Sequence, residues 1–231
     1  MNLDGSHALV PTGSTIARIE LTLAHFDSHI GEPDLPASRT AARERVAVRI
    51  HTRDGATGEY FGGTPDSFDQ SVRCARAVIG FDAFAREATY RAMRHVSRKQ
   101  DGIGGGVIDI ALWDLAGRRL GVSVSQLLGS RRERIPAYAS TWFAEAASGL
   151  TSPGAYADFA ERCHAIGYRG FKMHGRSDGN SEKDVAAIRE LGRRVGDRMT
   201  LMHDAHCSLD SFQDALGVGQ ACDEAGFGWL E

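Results

Sequence analysis

The second half of the chain alternates between strand-like and helix-like segments at a nearly constant spacing. Short apolar segments end at His174, Asp204 and Glu231, which lie 30 and 27 residues apart. That spacing is the length of one strand and one helix, and repeated units of this kind form parallel sheets. The sequence therefore predicts a parallel sheet covered by helices, either a barrel or a doubly wound fold.

Apolar periodicity and helix-capping residues place the elements of this repeat. Strands are predicted at residues 135–140, 168–174, 199–206 and 227–231. Helices are predicted from Ser152-Pro153 to near Gly167, over Glu182–Val195, and after a cap at Ser208.

The first half of the chain has a different pattern, in which apolar and polar residues alternate. The alternation covers Ile16–Phe26 and Val46–Thr52, as in half-buried strands. Arg53-Asp54-Gly55 then forms a turn into a third strand at Glu59–Phe61, which predicts an antiparallel meander. Asp27–Arg39 contains a glycine and two prolines and is predicted to be a long loop.

Helical segments follow the meander. Their predicted positions are from Thr64-Pro65 to Val78, over Phe84–Val96, and over Val107–Gly117 after a glycine-rich joint at Gly102–Gly106. Within the last segment, Asp114 and Arg118 have the spacing of a helical ion pair.

Charge and composition exclude several classes of function. A formal charge of −3 leaves no basic surplus for a phosphate backbone, so nucleic acid is not an expected partner. No apolar run approaches the roughly 20 residues of a membrane helix, and the amino terminus lacks the pattern of a secretion signal. The four cysteines are far apart, which indicates reduced thiols. These features place the protein in the cytoplasm.

Ionisable side chains stand at the carboxyl ends of three consecutive predicted strands. With a strand period of two, Lys172 and His174 share one side, as do Asp204 and His206, while Glu231 ends the next strand. In a βα barrel the carboxyl ends of the strands form the face that carries the active site.

Each of these residues also has an ordinary structural explanation. A strand-end lysine or histidine is often only a solvated polar group, Asp204 is placed where it could cap a helix, and Glu231 could be a frayed terminus. Three such explanations would have to coincide on three successive strands, which favours a functional site.

Several motifs occur together along the chain: Ile108–Gly117, Gln126–Gly129, Ile135–Ser140, and the later order Lys-x-His, Asp-x-His and Trp-Leu-Glu. In combination they resemble the enolase superfamily, in its mandelate racemase and muconate lactonizing enzyme branch. The resemblance covers residues 16–231 and implies an α+β capping domain followed by a (β/α)7β barrel of the TIM type. The expected organisation is a disordered leader at residues 1–14, a capping domain with a linker helix at 15–130, and barrel strands one to four at 131–231.

By this resemblance, Asp204 and Glu231 match the first two of three carboxylate ligands for Mg²⁺. Oxygen ligands suit a hard cation, which favours magnesium. The reaction shared by the family is abstraction of the proton α to a carboxylate, and a divalent ion stabilises the enediolate that results. The expected partner is therefore a small-molecule carboxylate.

Lys172 and His174 match the Lys-x-Lys motif of the racemase branch, although His174 stands where the second lysine is usual. His206 matches the Asp-x-His motif of sugar-acid dehydratases. The resemblance thus implies dehydration of a sugar acid, with His174 or Lys172 as the base and His206 as the acid for the leaving group. Epimerisation by the same site stays open.

The resemblance also implies that the Asp27–Arg39 loop and residues 60–64 lie over the barrel mouth. His25, His29 and Arg39 would then contact the substrate, and the alternative is that they are solvated loop residues.

A full barrel takes roughly 250 residues, so we expect this chain to be the amino-terminal part of an enzyme. With two metal ligands and a half-open site, it is expected to show little or no dehydratase activity alone. Exposed parallel edge strands predict a homo-oligomer. Two rivals stay open: a non-catalytic oligomeric remnant, and a zinc hydrolase using His174, Asp204 and His206. The hydrolase lacks the expected His-x-His at Tyr138-Ala139-Ser140.

Overall fold

A computed structural model of the chain describes residues 13–30, 39–141, 149–175 and 179–231, without the side chains of residues 29, 30 and 39–41. The chain divides into two compact units. One comprises Met1–Asp27 and Ala42–Glu133, and the other Ser28–Ala41 and Arg134–Glu231. Most of the predicted leader lies outside the described residues. Ser14 is buried, and its carbonyl accepts a hydrogen bond from Ala83 N (2.9 Å).

A three-stranded sheet, most of whose residues belong to the first unit, has the order β1-β2-β3. Its strands are β1 (Ile16–Ile30), β2 (Arg39–Thr52) and β3 (Thr57–Gly62). β2 and β3 pair antiparallel from Val46↔Gly62 to His51↔Thr57, which confirms the predicted hairpin. Gly55 adopts φ 84° in its turn, a conformation that glycine adopts without steric cost.

The first two strands are longer than predicted. β1 continues beyond Phe26 to Ile30 and β2 begins at Arg39, so the prediction of loop for all of Asp27–Arg39 is wrong at both ends. Residues 31–38 lie outside the described part of the chain. Backbone hydrogen bonding extends a strand regardless of apolar alternation, and for this reason periodicity ended the strands too early.

Helices cover the sheet of the first unit. They are α1 (Phe68–Val78), α2 (Arg86–Val96), α3 (Ile103–Leu120) and α4 (Val124–Leu127), with a 3-10 turn at Pro65–Ser67 before α1. The predicted glycine joint is wrong for Gly104–Gly106, because α3 begins at Ile103 and Gly102 is its left-handed N-cap. A Cβ at Gly104 would lie 2.5 Å from Ser71 N, so this glycine permits close contact with α1.

α3 is joined to β3 by packing and by one carboxylate. Asp114 Oδ2 accepts a hydrogen bond from Glu59 N (2.7 Å) and lies 2.8 Å from Arg118 Nε, which confirms the predicted i,i+4 pair. Around this contact, Ile108, Leu112 and Leu115 are fully buried in the core of the unit.

The second unit contains the predicted repeat of strands and helices. Its elements are β4 (Ala139–Ser140), α5 (Pro153–Ala165), β5 (Gly170–His174), α6 (Ser181–Val195), β6 (Thr200–Asp204), α7 (Phe212–Glu224) and β7 (Trp229–Leu230). The strands form a parallel sheet in the order β4-β5-β6-β7, as predicted. All four are shorter than predicted because apolar residues continue into the flanking loops.

The helix caps of this unit are only partly as predicted. Ser152 caps α5 by accepting a hydrogen bond from Ala155 N (3.2 Å). The prediction that Ser208 caps the next helix is wrong, because Ser211 caps α7 through Asp214 N (3.1 Å). Ser208 Oγ instead donates to Ala205 O (2.5 Å) within the preceding turn.

The core of the second unit lies between the sheet and its helices. Phe171, Met173 and Leu201 point from the strands into this core and are buried. His203 lies fully buried on the same face, with Nε2 3.9 Å from Asp184 Oδ2. Burial lowers the pKa of His203 to about 4, so the imidazole is neutral at neutral pH.

The cysteines are all free. Cys74, Cys163 and Cys222 are buried and Cys207 is exposed. Burial raises the pKa of the Cys222 thiol to about 11, which keeps it protonated and unreactive.

Replacement of Gly58 tests the close contact between β3 and α3. In Gly58→Ala, the new Cβ would lie 2.2 Å from Ala111 O and 2.5 Å from Leu115 Cβ. We expect a loss of about 2–3 kcal/mol in the free energy of unfolding, measured by urea denaturation. The matched control is Gly106→Ala in α3, where a Cβ meets nothing within 4 Å. This control is expected to gain about 0.5–1 kcal/mol; equal effects of the two changes would contradict the packing described.

The burial of His203 predicts a dependence of stability on pH. In the unfolded chain, His203 binds a proton below about pH 6.5. In the folded chain, the same imidazole resists protonation until about pH 4. The free energy of unfolding should therefore fall as pH falls through this window, by roughly 3 kcal/mol in total. Urea denaturation at several pH values measures this dependence. The free energy of unfolding should change less steeply with pH in His203→Gln than in the wild type. His95→Gln, an exposed histidine on α2, is the control and should leave the slope unchanged.

Candidate functional site

The parallel register of three strands brings the predicted site residues together at the carboxyl end of the sheet. His174 pairs with Asp204 at the ends of β5 and β6, and Glu231 directly follows β7. Lys172 and His174 alternate with Phe171 and Met173, whose side chains occupy the core. The side chains of Lys172 and His174 therefore share the other face of the sheet, as the strand period predicts, whereas the period does not apply to His206, which lies beyond the end of β6 at Asp204.

Lys172 is the centre of the charge cluster. Its Nζ donates to Asp204 Oδ2 (2.8 Å) and to Glu231 Oε2 (3.3 Å). The side chains of Lys172 and Asp204 are only 11% and 13% exposed, whereas that of Glu231 is 59% exposed. The two predicted metal ligands thus share one cationic partner.

The protonation states of this cluster follow from its contacts. Burial works to lower the pKa of Lys172, but the hydrogen bonds to Asp204 and Glu231 outweigh it and raise that pKa above its usual value. Burial works to raise the pKa of Asp204, yet hydrogen bonds from Lys172 and from His206 N lower it overall. At neutral pH the site therefore contains an ammonium group and a carboxylate.

His174 is held from both sides. Its backbone N–H donates to Thr141 Oγ1 (2.8 Å), and its Nδ1 lies 2.7 Å from Thr141 O. Nε2 lies 3.0 Å from Asp204 Oδ2. A carbonyl oxygen only accepts hydrogen bonds, so Nδ1 carries a proton and the ring orientation is fixed.

His206 lies in the turn after β6. Its φ of 50° is left-handed, as is the φ of 55° at Cys207. Such conformations cost on the order of 1–3 kcal/mol and cluster at functional sites. His206 N donates to Asp204 Oδ1 (2.9 Å), and the ring lies edge to face with that of His174, at a centroid distance of 5.7 Å. The turn thus brings the His206 imidazole close to His174, which β5 places beside Asp204.

Other contacts in the cluster were missed by the sequence analysis. The rings of Tyr138 and Trp229 lie 5.9 and 5.7 Å from Lys172 Nζ, within range of a cation–π interaction. Thr141 supports His174, as described above. The sequence signal available was position alone, because Tyr138 and Thr141 flank the two residues of β4 and Trp229 begins β7.

The contact of His25, His29 and Arg39 with substrate stays a prediction. His25 Nδ1 lies 2.8 Å from Glu44 Oε1 within the first unit. The side chains of His29 and Arg39 lie outside the described residues. Residues 60–62 belong to β3, in agreement with the predicted third strand, and their position over the barrel mouth stays a prediction.

Two family profiles match the chain. "Mandelate racemase / muconate lactonizing enzyme, N-terminal domain" matches residues 19–129, and "Enolase C-terminal domain-like" matches residues 155–231. The chain belongs to the mandelate racemase/muconate lactonizing enzyme family of the enolase superfamily. This membership confirms the resemblance and the fold class, a capping domain followed by part of a (β/α)7β barrel.

Among relatives of this family member, a D-galactarolactone cycloisomerase from Agrobacterium fabrum is 30% identical over 82% of this chain and 51% of its own length. A D-gluconate dehydratase from Thermoproteus tenax is 32% identical over 70% of this chain and 35% of its own length. The chain thus spans about half or less of the length of these curated relatives.

A solved structure adds agreement in three dimensions. D-glucarate dehydratase from Agrobacterium tumefaciens, complexed with magnesium, has a TM-score of 0.79 and 28% identity. The match covers 95% of this chain and 61% of that enzyme. Relatives of this chain therefore include dehydratases and cycloisomerases.

In the part of this chain that the structure describes, no helix is long and apolar enough to cross a membrane.

Thr141→Val tests the support of His174. The change keeps the side-chain shape but removes the hydroxyl that accepts the backbone N–H of His174, in a position that is only 3% exposed. We expect a loss of about 1–2 kcal/mol in the free energy of unfolding, because a buried N–H loses its partner. Urea denaturation measures it, with the exposed Thr200→Val on β6 as the matched control. Equal, small effects would show that this hydrogen bond has no structural role.

Proposed function

We propose that this chain belongs to an enzyme that removes the proton α to the carboxylate of a sugar acid and then eliminates water. The observation that carries the proposal is the convergence of Lys172, His174, Asp204, His206 and Glu231 at one edge of the parallel sheet. Family membership supports the α-proton step, and dehydratases among the relatives support the elimination.

The chemistry explains why such a cluster is needed. A proton next to a carboxylate is weakly acidic, because its removal adds a second negative charge to form an enediolate. In the proposed reaction the α C–H bond breaks, its proton moves to His174, and its electron pair delocalises into the carboxylate. That pair then forms a carbon–carbon double bond as the β-hydroxyl leaves, and a proton from His206 completes water.

Asp204 and Glu231 fit a divalent cation. Their oxygens both approach Lys172 Nζ, which shows that two acidic side chains already converge on one positive centre. Carboxylate oxygens are the donors that Mg²⁺ prefers. When bound there, Mg²⁺ would supply positive charge that stabilises the enediolate.

The ion pairs favour His174 over Lys172 as the base. The hydrogen bonds from Lys172 to Asp204 and Glu231 raise its pKa and favour the ammonium form, which has no lone pair to accept a proton. With Nδ1 bonded to Thr141 O, Nε2 is the nitrogen of His174 left for proton transfer, and it would accept the substrate proton once Asp204 Oδ2, now 3.0 Å away, binds a cation instead. We assign Lys172 the role of a fixed positive charge near the developing enediolate.

The placement of His206 favours elimination over epimerisation. Epimerisation requires an acid and a base on opposite faces of one carbon atom. The rings of His174 and His206 are in edge-to-face contact at 5.7 Å, which leaves no space for a carbon atom between them. Two imidazoles on the same side can instead act on neighbouring carbon atoms of the substrate. One imidazole accepts the proton from the first carbon, and the other protonates the hydroxyl that leaves the second.

A homo-oligomer stays a prediction. Its support is the exposure of apolar side chains near the two outer strands of the described sheet. They are Ile135, Tyr138, Trp229 and Leu230, each at least 38% exposed.

The reaction is tested by proton exchange in D₂O. The protein encoded by the complete reading frame is incubated with Mg²⁺ and a panel of sugar acids, and deuterium at the α carbon is followed by NMR. We expect exchange and dehydration with at least one acid. His174→Asn should reduce exchange by about 10²–10⁴-fold, whereas His206→Asn should retain exchange but lose dehydration.

Variants of the carboxylates provide the second part of this test. Asp204→Asn and Glu231→Gln should each lower the apparent affinity for Mg²⁺, while Glu224→Gln on the exposed surface of α7 should not. Lack of exchange with every acid, or exchange that survives in His174→Asn, would overturn the proposal.

A further inference from the structure

A second set of possible metal ligands overlaps the carboxylate pair. His174, Asp204 and His206 each offer one ligand atom, and these atoms all lie within 4.8 Å of one another. The set differs from Asp204 and Glu231 in its chemistry, because two of its three donors are imidazole nitrogens. It shares only Asp204 with the pair proposed for Mg²⁺.

His174 is oriented as metal-binding histidines are. Its Nδ1 contacts Thr141 O at 2.7 Å, and a backbone carbonyl on one ring nitrogen fixes the tautomer that leaves the other nitrogen for a metal. That other nitrogen, Nε2, lies 3.0 Å from Asp204 Oδ2. Two ligands of a tetrahedral ion, with bonds of about 2.1 Å, are separated by about 3.4 Å, only slightly more than this distance.

His206 completes the set from the turn after β6. Its backbone N–H holds the second carboxylate oxygen of Asp204 (2.9 Å), while its ring turns toward His174. The left-handed backbone of His206 brings its imidazole and this N–H to the same carboxylate. Both oxygens of Asp204 are thereby oriented, one toward His206 N and one toward His174 Nε2.

The donor set selects a class of ion. Mg²⁺ takes oxygen ligands, whereas two imidazoles and one carboxylate suit Zn²⁺ and neighbouring transition metals. Three protein ligands with an open fourth position are also the arrangement of catalytic zinc sites.

We propose that His174, Asp204 and His206 form a binding site for a divalent transition metal of the Zn²⁺ class, distinct from the oxygen site for Mg²⁺. The site uses His174, Asp204 and His206, all of which have roles in the proposed function, but it does not depend on that chemistry. Because Asp204 belongs to both sets, Zn²⁺ and Mg²⁺ should compete. Zn²⁺ would also engage the nitrogen of His174 that the proposed reaction needs, so it should act as an inhibitor.

The test is a titration of the tag-free 231-residue chain with Co²⁺, which reports imidazole coordination by its visible d–d absorption. We expect new absorption bands beyond those of aqueous Co²⁺, and displacement of Co²⁺ by Zn²⁺. His174→Ala and His206→Ala should each weaken Co²⁺ binding by about tenfold or more. Circular dichroism checks folding, and His206→Gln replaces any variant at that position that fails to fold.

Two control variants separate this site from its neighbours. Glu231→Gln should leave Co²⁺ binding within about threefold while it weakens Mg²⁺ binding, because Glu231 belongs only to the oxygen pair. Cys207→Ser should also retain Co²⁺ binding, which excludes the adjacent exposed thiol as the ligand.

The results distinguish this inference from the proposed function. Bands that are absent, or that persist in both histidine variants, overturn the metal site, and a proton alone then bridges His174 and Asp204. Proton exchange with Mg²⁺ can still succeed in that case. Conversely, Co²⁺ binding that depends on both histidines supports the site even where no sugar acid undergoes exchange.

Discussion

The pairing of His174 with Asp204 across two parallel strands is the constraint on which the site depends. Parallel hydrogen bonding fixes β5 and β6 in register, so the last side chain of each strand arrives at the same edge. Glu231 joins them because its own N–H donates to His203 O (2.8 Å). A shift of one residue in either strand would send the charged side chains into the apolar core.

Asp204 contacts most of the polar groups that this register brings together. One oxygen accepts from the Lys172 ammonium and lies beside His174 Nε2, and the other accepts from His206 N. The low exposure of Lys172 and Asp204 strengthens these contacts relative to a solvated ion pair. A carboxylate that stays ionised among several donors is suited to hold a cation, and the donors around it determine which cation that is.

The contacts in this cluster bear on which of the family's reactions we propose for this chain. Members of the family differ in reaction, and the relatives described above include both cycloisomerases and dehydratases. In our proposal, the hydrogen bonds of Lys172 and the contact between two imidazoles favour a histidine base with a second histidine on the same side. That arrangement is compatible with elimination of water across neighbouring carbons.

The sequence by itself predicted the parallel sheet with its helices, the hairpin of the first half, and the strand-end residues proposed to carry chemistry. The 30- and 27-residue spacings predicted parallel strands, and the strand period of two separated Lys172 and His174 from the buried Phe171 and Met173. Only the tertiary structure decided what these residues contact. Thr141 holds His174 through a hydrogen bond across 33 positions, and Lys172 joins two carboxylates from different strands. Local patterns encode which face a side chain takes, whereas its partner is set by strand register and turn conformation, which depend on the whole sheet.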